Sequence, residues 1–149
     1  MRTWVGLYLL VWLVFLELLV AMAPGPPAWF IYVHAPLGLL IIGVAYANLR
    51  SIRATTAPGR TKRTVSATFT LTLVMAVLGV LLWAQIGAGV GVLLGFSVWD
   101  LLHIFHVVNA LAIIAQAASA ATAFDMWEEH EFERPTTAGT VPPAPRPAR

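Results

Sequence analysis

The sequence predicts an all-α integral membrane protein, a four-transmembrane-helix up-and-down bundle with both termini on the cytoplasmic side. Three observations carry that expectation. Of 149 residues, 59% are hydrophobic and 11% charged, whereas a soluble domain carries charge on roughly a quarter of its residues. The apolar residues gather in four stretches, each close to the roughly 20 residues that a helix needs to cross about 30 Å of hydrocarbon. Between the second and third stretches stand Arg50, Arg53, Arg60, Lys62 and Arg63 with no acidic neighbour, the composition expected of a cytoplasmic loop.

The first helix is expected over residues 4–22. A secretory signal peptide is the competing reading, because Arg2, an apolar run and Ala21-Met22-Ala23 resemble a charged start, a core and a cleavage site. The run is longer than a typical signal core and Pro24 would follow the scissile bond, so a retained helix is the better expectation. Pro24, Gly25, Pro26 and Pro27 end this span. Proline donates no backbone hydrogen bond, so this turn belongs in the interface or in water, and helices one and two form a tight hairpin.

Helix two is expected over 29–49 and helix three over 65–85, with the basic loop between them inside. The Pro-rich turn and the third connection then lie outside, and Trp29, Tyr32, Trp83 and Trp99 form an outer aromatic belt. The third connection holds Gly87, Gly89, Gly91 and Gly95. Two readings stand: a flexible apolar loop, or an early, close-packed start to helix four in which Gly87, Gly91 and Gly95 make a small-xxx-small ladder. Helix four is expected over 98–124, its alanines 110, 117, 118, 120 and 121 permitting close approach. The transmembrane domain thus covers 1–127. Residues 128–149 form an acidic, then Pro-rich tail, a short polar helical extension followed by disorder.

Composition removes several function classes. With no cysteine, disulfides, thiolate metal sites, iron-sulfur clusters and c-type haem attachment are excluded. The basic residues cluster in one loop without interleaved aromatics, which argues against nucleic acid. No phosphate loop, nucleophile elbow or His-Glu-x-x-His is present. An electron-transfer or accessory subunit is therefore a better expectation than a stand-alone enzyme.

Ionisable residues inside spans cost roughly 2.5–3.5 kcal/mol on insertion scales and mark function by default. Glu17 lies in helix one, His34 in helix two, and Asp100, His103 and His106 open helix four, with Gln85 ending helix three. Counted from the span ends at about 1.5 Å per residue, Glu17 and the three histidines lie roughly 7–12 Å below the outer boundary, in one layer. Helices two and four are diagonal in an up-and-down bundle, so His34 faces the helix-four pair across the axis. That is the geometry of a bis-histidine haem b, with two neutral imidazoles as axial ligands in an apolar sheath. His103 and His106 are about 60° apart around their helix, so both can face inward and either can supply the second ligand. Glu17 and Asp100 are candidates for proton handling. His130, in the acidic tail, has no visible mate.

His34-Ala35-Pro36-Leu37-Gly38 and His106-Val107-Val108-Asn109-Ala110-Leu111 look like the paired patterns of an uncharacterised family of small prokaryotic four-helix membrane proteins. The layout also resembles the b-type cytochrome membrane subunits, in which histidines on different helices clamp haem. The resemblance covers roughly Tyr32 to Phe124. It implies a multi-pass protein of a prokaryotic cell membrane, His34 and His106 as the axial pair, His103 as the spare, and one haem near the outer face, exchanging electrons with quinol.

Two other functions compete. The same histidines, with Asp100 and Glu17, form a non-haem site for copper, zinc or iron. Alternatively the chain is a non-catalytic accessory subunit whose Gly ladder and Ala-rich helix dock other membrane subunits or a second copy.

Overall fold

A computed structural model describes residues 3–22, 29–92 and 95–132. Four helices follow one another: α1 (Thr3–Ala21), α2 (Phe30–Arg53), α3 (Gly59–Trp83) and α4 (Val98–Phe132). Each is long and apolar enough to cross a membrane. The Pro24–Pro27 turn and the Pro-rich tail lie outside the described residues.

Helices α2, α3 and α4 outrun their apolar cores on the side of the basic loop. There α2 adds Arg50 and Arg53, and α3 begins at Gly59, before Arg60, Lys62 and Arg63. A helix satisfies its own backbone wherever the chain meets headgroups, and the long basic side chains carry their charges back to water. The loop itself is short and tied, with Lys62 Nζ donating to the Thr55 carbonyl at 2.6 Å. At its far end α4 continues without a break through Asp125, Glu128 and Glu129, because Phe124 and Trp127 pack against a cluster that also holds Leu7, Leu49, Ile52 and Val65. The expected polar extension is thus one helix with the span.

Each helix packs on its two neighbours in the ring α1-α2-α3-α4, and among the described residues the backbones of the diagonal pairs stay more than 8 Å apart, so only side chains meet across the diagonal. Neighbours are antiparallel. Asn48 Nδ2, late in α2, donates to the Gly6 carbonyl, early in α1, at 2.8 Å, and Asn109 Nδ2 of α4 donates to the Leu71 carbonyl of α3 at 2.9 Å. Such bonds between helices matter because lipid gives apolar side chains no reason to leave it, so packing and polar ties must hold the bundle.

The core is a series of layers. On α4, Ala110, Ile113, Ala117, Ala120, Ala121 and Phe124 are buried, a spacing of three and four that keeps one seam inward. Alanine on that seam lets α1 and α3 approach closely. The outward faces are apolar as well, with Trp12, Leu39, Val80 and Phe105 all exposed, as a lipid-facing surface requires.

Of the two structures expected of the third connection, an apolar loop is the one found, and helix four has no early start. Gly87 and Gly95 have positive φ, 78° and 83°, as does Gln85 at 54°, so the glycines form turns and no helical ladder. The connection is also tied down: Val98 N donates to the Val90 carbonyl at 2.9 Å and Val92 N to the Phe96 carbonyl at 2.8 Å. Gly87 is required twice over, by its φ and because an added Cβ would lie 2.5 Å from Val98 Cβ.

Candidate functional site: a polar layer above the apolar core

The buried seams, extended toward the end of the bundle that carries the third connection, arrive at four residues. On α1 the buried positions Leu7, Leu10 and Val14 lead to Glu17. On α2, His34 lies seven residues before buried Ile41, and on α4 His106 lies seven before buried Ile113. On α3, Gly79 lies seven after buried Thr72. Seven residues return a helix to nearly the same face, so these four positions form one layer, resting on the cluster built from Val14, Ile41, Ala110 and Ile113.

Within the layer, His34 and His106 approach across the bundle diagonal with ring centroids 6.2 Å apart and planes inclined by 49°. Phe30, one turn before His34, stacks on its ring at 4.9 Å. Glu17 Oε1 lies 2.6 Å from His34 Nδ1, with the side chains 13% and 22% exposed respectively. That separation is typical of a charge-assisted contact, yet the groups are not aligned for a hydrogen bond, and His34 Nδ1, Glu17 Oε2 and His106 Nδ1 are each buried without a hydrogen-bond partner. Turning the imidazole about its Cβ–Cγ bond would align the two groups without moving either helix. Pro36 sits in the same stretch of α2; lacking an N–H, it frees the carbonyl of Tyr32 four residues earlier.

The remaining expected residues are placed elsewhere. His103 is exposed and meets Trp99 edge-on at 5.3 Å. Asp100 is taken up in a capping box that starts α4: Ser97 N donates to Asp100 Oδ2 at 2.8 Å, and Asp100 N donates to Ser97 Oγ at 3.1 Å. Ser97 Oγ also meets Asp100 Oδ2 at 2.6 Å. Gln85 and His130 are exposed and apart from the layer. Two participants escaped sequence reasoning: Gly79, whose missing side chain leaves space 3.5 Å from His106 Cε1, and Phe30. The seven-residue register would have found Gly79; nothing in the pattern marks Phe30.

The donor set has a definite chemical character. Two imidazoles bound to opposite sides of one metal ion, each by a bond of about 2 Å, hold their ring centroids roughly 6 Å apart. The His34–His106 separation fits that spacing. Among the described residues no group of three His, Asp or Glu side chains converges as a metal cage; what the layer brings together is the pair of imidazoles.

Neither a family model, nor a curated protein, nor a solved structure matches this chain.

Proposed function

We propose that this chain is a haem b-binding electron-transfer subunit of a prokaryotic cell membrane, with His34 and His106 as axial ligands and both termini cytoplasmic. The observation that carries the reading is the pair of inward imidazoles on diagonal helices at 6.2 Å. A haem b would be held by His34 and His106, the two imidazoles that this layer brings together. A copper, zinc or iron site without porphyrin calls for three or four protein ligands, which favours the haem reading over it. The likeness in layout to b-type cytochrome membrane subunits, with histidines on different helices, points the same way.

When bound, the haem supplies one-electron redox chemistry, the capacity that a quinol-linked subunit uses. The residues of the chain do the rest. Glu17 lies against Nδ1 of His34, a carboxylate–imidazole pairing that orients the ring and would leave Nε2 free to hold the group. Phe30 holds the same ring from one face. The close-packed cluster of Leu10, Val14, Ile41 and Ile113 below the layer keeps water from reaching it through the bundle.

The test is a dithionite-reduced minus oxidised visible spectrum of detergent-purified protein, produced with ample haem supply. The reading predicts a b-type signal in the wild type that is lost in His34→Ala and in His106→Ala. A wild type with no such signal overturns it.

A further inference from the structure

Between Arg63 and Asp100 the chain carries no charged residue. That stretch includes the whole connection between α3 and α4, the place where a loop in water would normally bear polar side chains. In the structure, Ile86, Val90, Val92 and Phe96 of this connection are all exposed. They are not an isolated patch. The exposed face of α3 presents Val77, Val80 and Trp83, and Ile86 and Val90 continue the chain from it without an intervening charge. Trp83 is 73% exposed, and Trp29 and Tyr32 are exposed as well; these are the amphipathic rings that settle at headgroup level.

The backbone gives a second, independent indication. A segment that leaves water must satisfy its amides internally. Here Ala84, Gln85 and Ile86 donate to carbonyls of the last turn of α3, Ala88 to Gln85, Val90 to Gly87, Val92 to Phe96 and Val98 to Val90. Exposed apolar side chains above amides of which these seven are paired within the chain suit a connection that rests where lipid meets headgroup.

We propose that the α3–α4 connection is a membrane-embedded cap, lying in the interfacial layer of the bilayer with Ile86, Val90, Val92 and Phe96 in contact with lipid. The surface has one partner, the lipid, and it is continuous with the lipid-facing side of α3. This inference rests on the helices spanning a bilayer and is independent of any haem. Removing these four side chains from water is favourable in proportion to their apolar area, which holds the connection at the bilayer without charged anchors.

The chain has no cysteine, so single-cysteine variants can be spin-labelled without background. The experiment uses the full chain in phosphatidylcholine–phosphatidylglycerol vesicles, labelled in turn at Val90→Cys, Val92→Cys, Val77→Cys, Val80→Cys and Arg60→Cys. Collision with oxygen, which concentrates in lipid, is compared with collision with a water-soluble nickel chelate. The cap predicts oxygen in excess at 90 and 92, as at 77 and 80, and nickel in excess at 60. Nickel in excess at 90 and 92 with oxygen still dominant at 77 and 80 overturns the cap alone. Nickel dominant at all five positions overturns the spanning arrangement on which it rests.

Discussion

His103 and His106 stand on one helix in different environments. His106 belongs to the inward seam, while His103 is exposed beside Trp99. If the haem reading is right, His106→Ala removes the reduced-minus-oxidised signal and His103→Ala leaves it at wild-type amplitude; equal loss in both variants would assign the wrong histidine. The sequence placed both at one level but left the choice open, because 60° of separation permits two inward residues and only the packing of neighbouring helices says which one turns in. Asp100 makes the same point from the other direction. It was legible as an acidic residue near a membrane boundary, hence a candidate proton acceptor, but the structure shows its carboxylate occupied by Ser97. Asp100→Ala is therefore expected to lower stability by about 0.5–2 kcal/mol, as loss of a cap does, in thermal denaturation in detergent, while the haem signal survives. Loss of signal with unchanged stability would return Asp100 to the functional set.

Among elements, α3 contributes most by what it lacks. Gly79 completes the layer of Glu17, His34 and His106, and a Cβ there would sit 3.5 Å from His106 Cε1, ordinary contact. Gly79→Ala should keep the haem signal, whereas Gly79→Leu drives a branched side chain into the imidazole and should abolish the signal; binding unchanged in Gly79→Leu would mean that His106 is not held against α3. The connection that follows behaves differently. At Gly87 a side chain meets both a left-handed backbone and Val98, so Gly87→Ala is predicted to cost about 1–3 kcal/mol, read as a lowered melting temperature. The helices themselves were legible in hydropathy, because 20 apolar residues in a row have few alternatives to a span. Their ends were less so: α3 starts six residues before the expected 65 and α4 runs eight beyond 124, since polar residues past the hydrocarbon stay helical when neighbours pack against them. The glycine spacing left two readings open, because period four is necessary for a helical ladder but does not exclude turns, and positive φ cannot be read from spacing.

At the scale of the whole molecule, the bundle is two apolar clusters surmounted by one layer in which Glu17 faces His34 and, among the described residues, Glu17 Oε2 and His106 Nδ1 are buried without hydrogen-bond partners. A layer that merely tied helices together would look like Asn48 to Gly6 or Asn109 to Leu71, where each amide finds a carbonyl. Glu17 and His106 instead each leave an atom unsatisfied, and an unsatisfied buried polar atom costs about 1–3 kcal/mol. An assembly that carries such a cost has a use for it, or the cost would be removed by a few apolar substitutions. The argument gives a test that separates a ligand-binding layer from a structural one without requiring any ligand. Replacing Glu17, His34 and His106 together by Leu removes the unpaired polar atoms while keeping similar bulk, and exchanges of this kind are often neutral or stabilising by about 1–4 kcal/mol. The triple variant, compared with haem-free wild type by thermal denaturation in the same detergent, is expected to melt at the same or a higher temperature and to bind no haem. By contrast, Asn48→Ala, which breaks a satisfied tie, should destabilise by roughly 0.6–1.7 kcal/mol. If the triple variant instead falls further than Asn48→Ala, the layer is a structural tie, and the accessory-subunit reading takes the place of electron transfer.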